Sequence, residues 1–131
     1  MINVTWDNQE KTVIRWDMDK TWTVEQYMAA FKETSEMMQT VNHRVDVLGD
    51  MRETITVPRK IMAYLTENHR KVVVREEGSN YGVSVLVSSS NIVKVMAEVA
   101  SALPFTQKRF HFVETLEEGY DILERLRQET T

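Results

Sequence analysis

The segment Arg44 to Pro58, RVDVLGDMRETITVP, constrains the chain more than any other. Val45, Val47 and Leu48 favour a strand, and Gly49 ends the run. Asp50, Arg52, Glu53, Thr54 and Thr56 then form a polar, turn-prone stretch. Pro58 follows where proline suits the first turn of a helix. A strand, a loop and a helix start make half of the unit from which α/β domains are built. In open parallel sheets ligands and switches lie beyond the carboxyl ends of the strands, which places Asp50 to Thr56 at the business edge.

The rest of the chain extends this unit in both directions. Ile2, Val4 and Trp6 alternate with Asn3 and Thr5, and Thr12 to Trp16 forms a second strand-like run. The polar Asp7-Asn8-Gln9-Glu10 between them is so short that the two strands must pair as an antiparallel hairpin. Thr23-Val24-Glu25-Gln26 is a capping box, and Trp22 before it can staple onto Tyr27. Val24, Tyr27, Met28, Phe31, Met38 and Val41 then recur at helical spacing, predicting one buried stripe that ends at Asn42-His43. This helix crosses over to the strand Arg44 to Leu48, which predicts parallel strands on either side of it.

After Pro58, Ile61, Met62 and Leu65 predict a second helix. Val72 to Val74 fits either a strand or the continuation of that helix. Gly82 to Val87 reads as a buried strand because it is apolar on both faces. Ser88-Ser89-Ser90-Asn91 supplies the cap of a third helix, which Leu103-Pro104 closes. Arg109 to Val113 is the last strand. Thr115-Leu116-Glu117-Glu118 caps a fourth helix, whose inner face carries Leu116, Tyr120, Leu123 and Leu126. The expected fold is therefore a single α/β domain over residues 1–131, with four helices and a mixed sheet in which only the first strand is antiparallel.

Composition narrows the functions. The chain has 131 residues, enough for one core without staples, and no cysteine, which excludes disulfides and thiolate chemistry. A net charge of -4 provides no basic field for nucleic acid or anionic membranes. No apolar run is long enough to span a membrane, and MINVTWDNQE lacks the basic and apolar parts of a signal peptide, so a cytoplasmic protein is expected.

The order of elements resembles the SpoIIAA-like branch of the STAS domains (sulfate transporter and anti-sigma-factor antagonist). The residues that carry the resemblance are the opening hairpin, Trp22-Thr23, and the strand ending Val45-Asp46-Val47-Leu48-Gly49-Asp50. Val83 to Val87 and the stretch Phe112 to Tyr120, FVETLEEGY, complete it over nearly the whole chain. The last stretch is similar to the "TLEEA" segment of such proteins, with Gly119 in place of alanine at about 1 kcal/mol of helix propensity. The resemblance implies a non-enzymatic regulatory domain that binds a partner protein. It also implies a switch in which a serine or threonine after the central strand is phosphorylated. The usual Asp-Ser-Ser-Gly segment is absent here; Thr54 and Thr56 lie in the corresponding loop.

Asp50 at a strand end resembles the phosphate acceptor of a response-regulator receiver, but the further carboxylates for Mg²⁺ and the lysine after the last strand are missing. An Asp that fixes a turn through its side chain is the stronger reading. Ser88, Ser89 and Ser90 with Asn91 could hold an anion at a helix start, though a plain cap explains them better. His43, His69 and His111 lack metal-ligand spacing, and no cofactor loop is present. Eight methionines, four of them (Met28, Met38, Met62 and Met96) on expected inner faces, suit core filling. They also motivate the rival function, a module for a small apolar or anionic ligand, as in the lipid-transfer proteins likened to this family. The candidate switch or binding surface is thus Trp22, Asp50, Thr54, Thr56 and Ser88 to Ser90, with no metal or cofactor, a protein partner, and a homodimer compatible with the sequence.

Overall fold

The computed structural model describes residues 1–56, 58, 60, 80–88, 91 and 110–129. Five strands form one mixed sheet in sequential order. β1 (Ile2–Trp6) runs antiparallel to β2 (Val13–Met18), and the hairpin expected from the sequence is present. β3 (Val45–Asp50), β4 (Tyr81–Val87) and β5 (Phe110–Val113) continue the sheet in parallel. Helix α1 (Val24–Met38) follows β2, and α2 (Leu116–Glu129) follows β5. Two helices are thus described where the sequence led us to expect four. The helices expected after Pro58 and after Ser90, with Val72 to Val74, Met62, His69 and Met96, fall outside the described residues.

Strand alternation divides the interior into two cores. Ile14, Trp16, Met18, Val45, Val47 and Met51 pack with Trp22, Ala30 and Met38 on the α1 side. Val13, Leu48, Val83, Val85, Val87 and Val113 pack with Leu123 on the α2 side. A buried polar atom is costly unless paired, and Trp16 in the first core is paired. Trp16 Nε1 donates to Thr34 Oγ1 at 2.7 Å, and that hydroxyl donates to Ala30 O at 2.8 Å. The Tyr27 ring meets the edge of Trp16 at 5.4 Å and stacks on Trp22 at 5.9 Å, which is the expected staple.

The ends of elements depart from the sequence reading for local reasons. β2 extends two residues past Trp16, since Asp17 pairs with Asn3 on one side and Asp50 on the other. β3 continues through Gly49 and Asp50, which pair with Leu86 and Val87; strands on both sides hold a glycine that alone would weaken the run. α1 stops at Met38, before the expected end at Asn42-His43. Asn80 Nδ2 donates to the carbonyls of Met38, Val41 and His43, satisfying the groups a helix end leaves open. Met28, expected inside, is 47% exposed. It lies on the flank of the stripe that Ala30, Thr34 and Met38 centre on the core.

Candidate functional site

The candidate surface is built where β2 and β3 end. Asp50 is the last residue of β3, on the same side of the sheet as Leu48, and its side chain is nearly buried. Arg52 wraps back onto it: Nε donates to Oδ1 at 2.9 Å, Nη2 to Oδ2 at 2.9 Å, and the Arg52 amide to Oδ1 at 3.1 Å. Arg15 Nη2, from β2, adds a bond to Oδ2 at 2.9 Å. A carboxylate has about four acceptor positions, and all are taken. Burial alone would push the Asp50 carboxyl up, but the hydrogen bonds and charge of Arg52, with Arg15 behind, hold it below the usual range. Asp50 is therefore a keystone of the turn, and ligating a cation or taking phosphate would require displacing two guanidiniums.

Arg15 carries the network across the sheet. Its Nε donates to Asp17 Oδ1 at 2.9 Å and its Nη1 to the Tyr120 hydroxyl at 3.2 Å, while Tyr120 donates to Asp7 Oδ1 at 2.8 Å. Burial disfavours the Arg15 charge, yet Asp17 and Tyr120 more than offset it and raise its pKa further. The Tyr120 hydroxyl is also pushed up, by burial and then by its bond to Asp7. Arg15 went unmarked in the sequence, although a charged residue between Ile14 and Trp16 in an apolar strand is itself the signal of a buried pair.

The loop after β3 is stitched to the loop after β2. Thr54 Oγ1 donates to Asp19 O at 3.0 Å, and the amides of Ile55 and Thr56 donate to Lys20 O at 3.1 and 3.4 Å. Thr54 is only 3% exposed, so it is a buried tie and not a surface hydroxyl, whereas Thr56 is exposed. Between them Ile55 stands 60% exposed on a backbone held from both sides. Trp22 is buried at 5% and serves the core instead of the surface; among the described residues its Nε1 has no partner. Ser88 is also buried, and its amide donates to Val113 O. Met51 N donates to Val87 O, so the ends of β3, β4 and β5 adjoin as expected. Ser89 and Ser90 lie outside the described residues.

A cleft of about 520 Å³ opens beside this loop, with Asn3, Arg15, Asp17, Asp19, Arg52 and Glu53 among its lining. Charged side chains make up most of its walls, with Met1 and Met18 among them. His43 binds the Lys11 carbonyl through its ring, and His111 lies on β5, so these two histidines share no site. Among the described residues no three His, Asp or Glu side chains are grouped to hold a metal, and no helix is long and apolar enough to cross a membrane.

A second charged cluster sits at the opposite end of β3. Asp46, fully buried, accepts from Arg44 Nε at 3.0 Å, Arg127 Nη2 at 2.7 Å and the Val83 amide at 3.0 Å. It ties α2 to the sheet and is structural. No protein-family model matches the chain, and no curated protein is significantly similar to it.

Proposed function

We propose that this chain is a non-enzymatic regulatory domain that binds a partner protein through the loop Asp50–Thr56, in the manner of the STAS domains it resembles. The observation that carries the reading is Ile55. A large apolar side chain 60% exposed on a backbone tied to Asp19 and Lys20 is a preorganised anchor, and such anchors dominate protein interfaces when a partner desolvates them. Exposed Arg52, Glu53 and Thr56 around it suit the polar rim of such a contact.

Regulation would act on Thr56. A phosphate there adds about -1.5 to -2 charges beside the anchor, and the exposed hydroxyl is open to a kinase. Thr54 would first have to break its bond to Asp19. The test replaces Ile55→Asp: capture of the partner is lost while thermal stability is kept. Partner capture indifferent to this change would overturn the proposal.

A further inference from the structure

The outer edge of β1 is an exposed sheet edge, separate from the loop and independent of its reading. Asp19 N donates to Met1 O and Asp7 N to Val13 O, so these residues bracket the β1–β2 ladder as hydrogen-bonded pairs. With Ile2 opposite Met18, Val4 opposite Trp16 and Trp6 opposite Ile14, alternation turns the N–H and C=O of Asn3 and Thr5 toward β2. The N–H and C=O of Ile2, Val4 and Trp6 therefore face away from the sheet. Among the described residues no strand pairs with them. Native edges are commonly blunted by proline, a bulge or a charged side chain, and INVTW has none of these.

We propose that this edge pairs with a second copy of itself, antiparallel and centred on Val4. That register pairs the whole length of the strand. Val4 meets Val4, Ile2 meets Trp6, and Asn3 meets Thr5, so apolar residues oppose apolar ones on the α1 side and polar oppose polar on the other. The outward-facing residues become the hydrogen-bonded pairs, each exchanging two N–H···O bonds. Ile2, Val4 and Trp6 are only half-buried in one copy, which leaves apolar area for the second to cover.

Charge agrees with the same two-fold. The Lys11 ammonium lies 5.9 Å from the Trp6 ring, at one end of the edge. Asp19 lies at the other end, following Met18, the partner of Ile2. Setting Trp6 of one copy opposite Ile2 of the other brings Asp7 and Lys11 to the end where Asp19 and the Met1 ammonium pair at 2.6 Å, so both signs meet their opposites, twice over. A partner of different sequence would need the same alternation with a basic residue at one end; the second copy has it already.

Sedimentation velocity over a concentration series tests this. The chain is expected to pass from monomer to dimer, and Val4→Pro to weaken association roughly tenfold or more. The Val4 N–H bonds nothing in β2, so proline there leaves the hairpin ladder whole. An unchanged thermal midpoint would verify that. Because the chain has no cysteine, the register can be read directly. Asn3 and Thr5 would form a close, non-hydrogen-bonded pair across the two-fold, within disulfide reach. The double variant Asn3→Cys/Thr5→Cys should oxidise to a covalent dimer, and Asn3→Cys alone should not. A monomer at every concentration, a dimer that Val4→Pro leaves intact, or equal cross-linking of the single and double variants would each refute it.

Discussion

Two residues show how local preference yields to packing. Gly119 sits inside α2, where alanine would favour the helix by about 1 kcal/mol. A Cβ there would lie 3.1 Å from Leu48 Cδ1 and 3.2 Å from Val87 Cγ2. Both neighbours are fully buried and cannot retreat, and overpacking of this kind costs about 1–3 kcal/mol. Gly119→Ala should therefore lower the thermal midpoint, where propensity alone predicts a rise. Asp46 makes the opposite case, a charge retained in the core because three donors converge on it. Asp46→Ala removes two charge-assisted bonds from the sheet and the acceptor of the buried Val83 amide, and should cost about 2–3 kcal/mol in a denaturant titration. In the sequence Asp46 stands only as one residue of an apolar strand, because Val45, Val47 and Leu48 around it dominate the signal. Its parity with Leu48 and Asp50, all on one side of the strand, was the clue.

At the scale of elements, the hairpin, the parallel order and both helix caps were legible, since each is written in contiguous residues. Thr23 and Gln26 exchange the two bonds of a capping box, and Thr115 accepts from the Glu118 amide. Element ends were less legible, because partners distant in sequence set them: Asp50 and Leu86 prolong neighbouring strands, and Asn80 closes α1. The candidate loop was placed correctly by topology, but its chemistry was not. Which threonine is buried depends on the Asp19 carbonyl, 35 residues away in sequence. The Asp50 cluster also makes the loop sensitive to acid. Its carboxyl is held below the ordinary value near 3.9, so its stabilising effect is complete above that pH and fades as pH falls through the native value. Asp50→Asn should cost about 2 kcal/mol at pH 7. The gap between wild type and variant should stay level from pH 8 to 5 and narrow below about pH 4. A gap that widens in acid would contradict the assignment.

At the scale of the whole molecule, α2 and α1 bury opposite faces of one sheet and leave two features outside the cores: the loop with Ile55, and the β1 edge. The loop is tied to the Asp19 and Lys20 carbonyls and β1 to β2, so both have a backbone fixed by its neighbours. The proposed partner binding runs through the first. Native mass spectrometry of the protein isolated from its own cells, beside the Ile55→Asp variant expressed in the same cells, tests it most directly. The prediction is a complex with a second, different polypeptide in the wild type and its loss in the variant, at an unchanged thermal midpoint. A co-purifying small molecule released on denaturation and retained by Ile55→Asp, with no protein partner in either sample, would contradict it.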